Sequence, residues 1–337
     1  MQIISDFSLK THNTFGIDAQ AASFVSVTSI EELRTVLSEH KNEAKLILGG
    51  GSNMLLTKNV DKLVIHVNLK GKEIVQENED FVWVKAAAGE NWHEFVIWCI
   101  DQNFGGIENM SLIPGNVGSA PIQNIGAYGV ELKDTFDSCE ALLLDSLTLK
   151  SFAKTDCNFG YRESVFKQDL KDQCVIVSVT LKLTKKNHVL HTQYGSIGDE
   201  MAKNNIENPT IKDISNTVIA IRKSKLPDPK ELGNSGSFFK NPVVPKSLYD
   251  QVALQYPNMP SYKVSETEVK VPAGWLIEQA GYKGKRIGDA GVHKNQALVL
   301  VNYGNATGSE ILDLAHEVQH AIFEKFGISI ETEVNIL

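Results

Sequence analysis

The sequence predicts a mixed helix-and-strand protein of two or three lobes, and three observations carry that reading. Its 337 residues exceed what one hydrophobic core usually serves. Strand-like and helix-like periodicities alternate along the first half. Two long glycine-rich stretches without any period interrupt them, as functional loops do inside folded domains.

The elements follow in chain order. Ser29 with Glu32 three residues on makes a capping box, so 30–39 is a helix. Residues 45–48 form a short apolar strand opening into Gly49-Gly50-Gly51-Ser52-Asn53, and 63–67 form another. FVWVKAAA at 81–88 is a strand. The helix expected at 91–102 aligns Trp92, Phe95, Val96, Cys99 and Ile100 on one face. The aperiodic stretch 109–129 comes next, and strand-like runs return at 139–144 and 174–183. Thr210 with Asp213 caps a helix to about Lys223 that stops before Pro227 and Pro229, where the main lobe boundary is placed. Beyond it lie a second loop at 233–242, a short helix at 272–280 with Pro272 first and Gly281 just past its end, and a strand at 297–302. Thr307 with Glu310 caps the last long helix, which ends at Gly327. In the tail Ile328, Ile330, Val334 and Ile336 face one way, and Glu331, Glu333 and Asn335 the other.

Bulk properties exclude several classes. The balance of 42% hydrophobic and 22% charged residues is that of a globular chain. No apolar run approaches the ~18 residues of a membrane span, and the first residues lack a cationic head before an apolar run. The expectation is a cytoplasmic protein with no membrane insertion. A net charge of −8 argues against nucleic acid, so an anionic ligand must be caught by local lysines and arginines. Cys99, Cys139, Cys157 and Cys174 are widely spaced and read as free, mostly buried thiols of a reducing compartment.

Single motifs leave alternatives open. Gly49–Gly51 suits either a tight turn or a pyrophosphate cradle, and it fits neither G-x-G-x-x-G nor a nucleotide-triphosphate loop. Two glycine loops in one half of the chain suit a large dinucleotide held by backbone. Ser237, in GNSGSFFKNP, is either a turn-capping serine or a positioned proton donor. Arg162 in FGYRES is either a surface ion pair with Glu163 or an anion binder, and Lys225 is either helix-end charge or a phosphate contact. Glu331 and Glu333, on the polar side of the terminal strand, read equally, one or both, as solvated polar positions. His316-Glu317-Val318-Gln319-His320 matches the zinc-protease letters H-E-x-x-H. Ile311, Ala315, Val318, Ile322 and Phe326 define that helix's buried face, however, and the histidines fall opposite, so no metal is expected.

Taken together, LGGGSN (48–53), SLIPGNVGSAPIQNIGAYG (111–129), FGYRES (159–164), SKLPDP (224–229), GSFFKNP (236–242), AGWLIEQAG (273–281), HKNQALVLVN (293–302) and ETEV (331–334) resemble the UDP-N-acetylenolpyruvoylglucosamine reductase family. The resemblance spans nearly the whole chain. It implies an α+β fold, with a two-lobed FAD-binding region of the vanillyl-alcohol-oxidase type and a separate α+β substrate-binding domain. The implied segments are 1–69 and 70–213 for the FAD lobes, with a type I insertion at about 185–210. Residues 214–326 would form the substrate domain, and 327–337 a strand returning to the active site. The implied activity is reduction of the enolpyruvyl ether of a UDP-sugar, with NADPH as hydride donor, by a monomer.

Because Ser52 and Asn53 stand where related oxidases carry a flavin-linking histidine, the FAD is expected to be non-covalent. By resemblance Gly49, Gly50, Gly51, Ser52, Asn53, Pro114, Gly115, Gly118, Ser119, Gln123, Asn124, Gly126, Ala127 and Tyr128 contact the FAD. Tyr194, Lys225, Asn241, Tyr262 and Gln296 hold the UDP-sugar. Arg162 takes the substrate carboxylate, Ser237 donates a proton to carbon, and Glu333 stands by the carboxylate in protonated or bridged form.

Overall fold

Ser29 caps the first helix as expected, its Oγ accepting from Glu32 N at 3.1 Å, while the Glu32 carboxylate reaches one residue further to Thr28 N and Oγ1 at 2.8 and 2.9 Å; the helix runs Ile30–Glu39. The computed structural model describes residues 1–337 and divides into two units. The first comprises Met1–Phe7, Ala21–Gly50 and Asp61–Arg222; the second comprises Ser8–Gln20, Gly51–Val60 and Lys223–Leu337.

In the first unit a four-stranded sheet has the order Ile4–Ser8, Gln20–Val27, Val60–Val67, Lys45–Leu48. Its last pair is parallel, with Leu46 opposite Val64 and Ile47 opposite Ile65. Helix Ile30–Glu39 buries Leu33, Val36 and Leu37 against Val25, Val27, Leu63, Ile65 and Val67. A second sheet, antiparallel throughout, has the order Leu149–Ala153, Phe136–Leu143, Cys174–Thr184, Phe81–Ala87, Lys72–Glu77. Strand Phe81–Ala87 alternates strictly, burying Val82, Val84 and Ala86. Helix Trp92–Asp101 buries the five residues its period predicts, Trp92, Phe95, Val96, Cys99 and Ile100. Trp92 Nε1 also donates to Met110 O at 3.1 Å, anchoring the start of the long loop to this core. A small cluster joins helix Ile197–Lys203 to helix Ile211–Lys225 through Ile197, Met201, Ile214, Val218 and Ile221, with Tyr128 packed on its edge.

The second unit is built on the sheet order Gly233–Ser237, Val299–Asn302, Ala290–Val292, Arg286–Ile287. Helix Gly308–Phe326 buries Ile311, Leu314, Ala315, Val318, Ile322 and Phe326 and stops at Gly327, which takes the left-handed φ of 65°. The H-E-x-x-H glutamate is spent locally, since Glu317 accepts from Tyr282 Oη and Lys285 Nζ, each at 2.8 Å. His316 and His320 are exposed, as the helical wheel predicts. No helix is long and apolar enough to cross a membrane.

The tail departs from the expected alternation. Ile328, Ile330 and Val334 are buried, but Ile336 is exposed and only Asn335–Ile336 is a strand. The tail changes partner midway. Glu331 and Glu333 bond the backbone of 238–240, whereas 335–337 pair with Met54–Leu55 in parallel. One uninterrupted strand face cannot survive that switch.

Candidate active site

The two glycine loops meet in the first unit. A Cβ on Gly50 would lie 2.8 Å from Asn116 Oδ1 and 3.2 Å from Gly115 Cα, so a larger residue here would have to displace the Asn116 side chain. At Gly51, where φ is 60°, a Cβ would fall 2.0 Å from His12 O, inside the second unit's own backbone. The chain itself therefore demands that glycine. Asn53 Nδ2 donates to Glu333 O at 3.3 Å, and Asn53 O accepts from Asn335 N.

The 111–129 loop is stitched to the turn before helix Trp92–Asp101. Trp92 N donates to Gly115 O, Val117 N to Glu90 O, and Gly118 N to Ala88 O, at 3.0, 2.9 and 2.9 Å. A Cβ on Gly118 would sit 2.5 Å from Ala88 Cβ. Ser119 Oγ turns back onto Asn116 O at 2.7 Å. Asn124 is fully buried, and its side chain is consumed by Glu131, Gly160 O and Lys133 N. Pro114 is exposed, while Gln123, Gly126, Ala127 and Tyr128 are half-buried.

In the loop Leu112 at φ 60°, Asn124 at 43° and Tyr128 at 51° take a left-handed backbone, as does Arg162 at 57°. Such strain concentrates at functional sites. Arg162 turns between Gly160 and Glu163, and its guanidinium donates to Gly126 O at 2.9 Å and stacks on Tyr161. The arginine is therefore tied to the tip of the glycine loop. Tyr194 is largely exposed, with its ring edge-on to Tyr128 at 6.4 Å. Burial pushes the Tyr128 phenol up, Arg222 pulls it back, and Tyr194 adds a small upward push.

In the second unit Ser237 ends its strand exposed, just past Gly236 at φ 70°, with Phe238 and Phe239 buried behind it. Glu333 N donates to Phe238 O at 2.8 Å, and Thr332 bridges Phe239. Ser237 and Glu333 are thus one residue apart across a short ladder. Asn241 Oδ1 accepts from Ala273 N at 2.9 Å, and Gln296 Oε1 would stand 3.4 Å from a Cβ on Gly274. Both side chains accordingly flank the start of helix Ala273–Gln279. Lys225, the last residue of helix Ile211–Lys225, is exposed, and Tyr262 is exposed on a two-residue edge strand.

Sequence reasoning passed over Arg222. Its Nε is buried with no hydrogen-bond partner, and burial pulls its guanidinium below the usual arginine range against a smaller upward pull from Tyr128. The signal was present. Position 222 continues the Ile211, Ser215, Val218 spacing, so a cation stands on the helix's buried face.

Comparison with known proteins settles the family. A family model described as FAD binding domain matches residues 21–150. One described as UDP-N-acetylenolpyruvoylglucosamine reductase, C-terminal domain, matches 228–337. The chain is 67% identical to UDP-N-acetylenolpyruvoylglucosamine reductase of Flavobacterium johnsoniae over 337 residues, which is 100% of both chains. The chain belongs to the UDP-N-acetylenolpyruvoylglucosamine reductase family. The reductase of Pseudomonas putida is 46% identical, covering 98% of this chain and 97% of its own. A crystal structure of the reductase from Thermus caldophilus shares the fold at a TM-score of 0.69, with 23% identity, 99% of this chain and 98% of that one covered.

Like its family, the chain is an FAD-dependent oxidoreductase. Its residues fit that cofactor. A side chain at Gly50 would crowd the two glycine loops, and Arg222 beside Tyr128 carries a buried Nε with no hydrogen-bond partner, a cation able to serve an anionic or carbonyl-bearing ligand.

Proposed function

We propose that this reductase acts as a cytoplasmic monomer that reduces UDP-N-acetylglucosamine enolpyruvate to UDP-N-acetylmuramate for peptidoglycan precursor synthesis, with NADPH as hydride donor. The observation that carries the reading is the ladder that sets Ser237 one residue from Glu333, with Asn53 of the glycine loop bonded to Glu333 O. A hydroxyl at the end of strand Gly233–Ser237 and a carboxyl on the tail segment bonded to Phe238 O suit protonation of carbon next to a carboxylate.

FAD would be held non-covalently by 49–53 and by the backbone of 114–128, where it would supply hydride transfer from NADPH to the substrate. Hydride addition at the methylene carbon leaves negative charge on the carbon beside the substrate carboxylate. Arg162 takes that carboxylate, since a guanidinium matches two oxygens and stays charged. Ser237 delivers the proton to the charged carbon. Glu333 acts as a neutral donor to the same carboxylate, because an ionised one would oppose the developing charge. Lys225, Tyr194, Asn241, Tyr262 and Gln296 hold the UDP-sugar, with Lys225 as a point charge on the diphosphate. Segments 1–69 and 70–213 serve FAD, 214–326 the substrate, and 327–337 carries Glu333.

The test separates the half-reactions by stopped-flow absorbance. Ser237→Ala should still bleach its flavin with NADPH, yet fail to recover colour with the UDP-sugar. Equal slowing of both halves removes Ser237 from this role.

A further inference from the structure

Asn109 is 1% exposed and sits in the short turn Glu108–Met110. That turn is fixed on several sides. Gly106 N donates to Glu108 Oε2 at 2.6 Å, Trp92 Nε1 to Met110 O at 3.1 Å, and Ser111 Oγ meets Ser215 Oγ of helix Ile211–Lys225 at 2.7 Å. From this rigid base Asn109 Nδ2 donates to Tyr128 O at 3.1 Å and to His191 O at 2.8 Å. Both amide hydrogens are spent on carbonyls, so the amide cannot flip without facing oxygen to oxygen.

The two carbonyls belong to different segments. One is at the strained residue Tyr128, followed by Gly129 at φ 84°; the other is three residues before Tyr194. A Cβ on Gly129 would lie 3.3 Å from Tyr194 Cδ2, so the segments already approach to contact. Asn109 Oδ1, meanwhile, is buried without a partner. A buried orphan acceptor is destabilising, so stability alone does not account for asparagine here.

We infer that Asn109 is a positioning residue that holds the Tyr194 segment in register with Tyr128, and so sets where Tyr194 meets the UDP-sugar. This rests on the proposed role of Tyr194. Asn109→Asp keeps the shape and replaces the one nitrogen that makes both bonds by an oxygen facing two carbonyls. It should raise KM for the UDP-sugar about thirtyfold, two hydrogen bonds' worth, with kcat within about threefold and FAD content unchanged. If Asn109 is merely structural, Asn109→Asp should instead lose FAD or lower kcat along with any rise in KM, and that result overturns the inference.

The deciding measurement is a double-mutant cycle with Tyr194→Ala. The double variant should be no worse than Tyr194→Ala, because a lost tyrosine no longer needs placing. If Tyr194→Ala raises KM and Asn109→Asp adds its full effect on top, the tyrosine's role stands and this inference alone falls. If Tyr194→Ala leaves KM unchanged, the substrate role of Tyr194 fails and the inference goes with it. Should Asn109→Asp not fold, Asn109→Ser, which keeps one donor, enters the same cycle with an expected rise of about fivefold to tenfold.

Discussion

Replacing Arg222 by methionine should change stability and cofactor affinity in opposite directions. Arg222 carries a buried Nε with no partner in the protein, and burial already pulls its guanidinium down. An unsatisfied buried donor costs about 1–3 kcal/mol, and methionine fills a similar volume without it. The FAD-stripped Arg222→Met protein should therefore melt about 2 °C or more above the stripped parent, at about 2–4 °C per kcal/mol for units of this size. A hydrogen bond from a charged donor contributes about 1.5–3 kcal/mol, so FAD should dissociate about 10- to 150-fold more readily from the variant. Thermal unfolding of stripped protein and recovery of free-flavin fluorescence read the two effects. A stripped variant that melts lower than its parent, or an FAD affinity left unchanged, would refute the assignment of Arg222 to a ligand.

Three further outcomes follow from particular contacts. Gly51→Ala must place a methyl 2.0 Å from His12 O at a φ of 60°, so it should cost more than about 3 kcal/mol and appear as lost soluble protein or a sharply lowered melting point. Glu333→Gln should keep part of the activity that Glu333→Ala loses, if a neutral donor is what the site requires; equal loss in steady-state assays would exclude that version. Burial holds the His293 imidazole below its ordinary 6.5, with Lys294 adding to the effect. The unfolded chain then takes up a proton that the folded one refuses, so stability is full above that value and falls as pH drops through it. Urea midpoints at about pH 7.5 and about pH 5.5 should show a smaller acid loss in His293→Gln than in the parent, and an equal loss would discount the histidine.

Much of the local structure was legible. Helices Ile30–Glu39, Trp92–Asp101 and Gly308–Phe326 begin where their caps stand and bury the faces their periods predict. Edge strands were not. Lys72–Glu77 is exposed on nearly every residue, so no alternation marks it; the inner strand Gln20–Val27 was missed as well, because it buries Ala21, Phe24, Val25 and Val27 without strict alternation. Of the residues proposed for the site, Ser237 and Glu333 were recognisable as motif letters, but nothing local says that 238 and 333 share a hydrogen bond.

What the sequence by itself determined is whatever a few neighbouring residues decide together: caps, helix faces, glycine turns, and the family to which the ordered motifs belong. Only the tertiary structure decided that Gly51 answers to His12, that one amide at Asn109 holds Tyr128 and His191, and that the tail changes partner before Ile336. Helical hydrogen bonds span four residues and so leave a period in the chain. Contacts between distant segments leave none, because their geometry exists only once the intervening loops have closed.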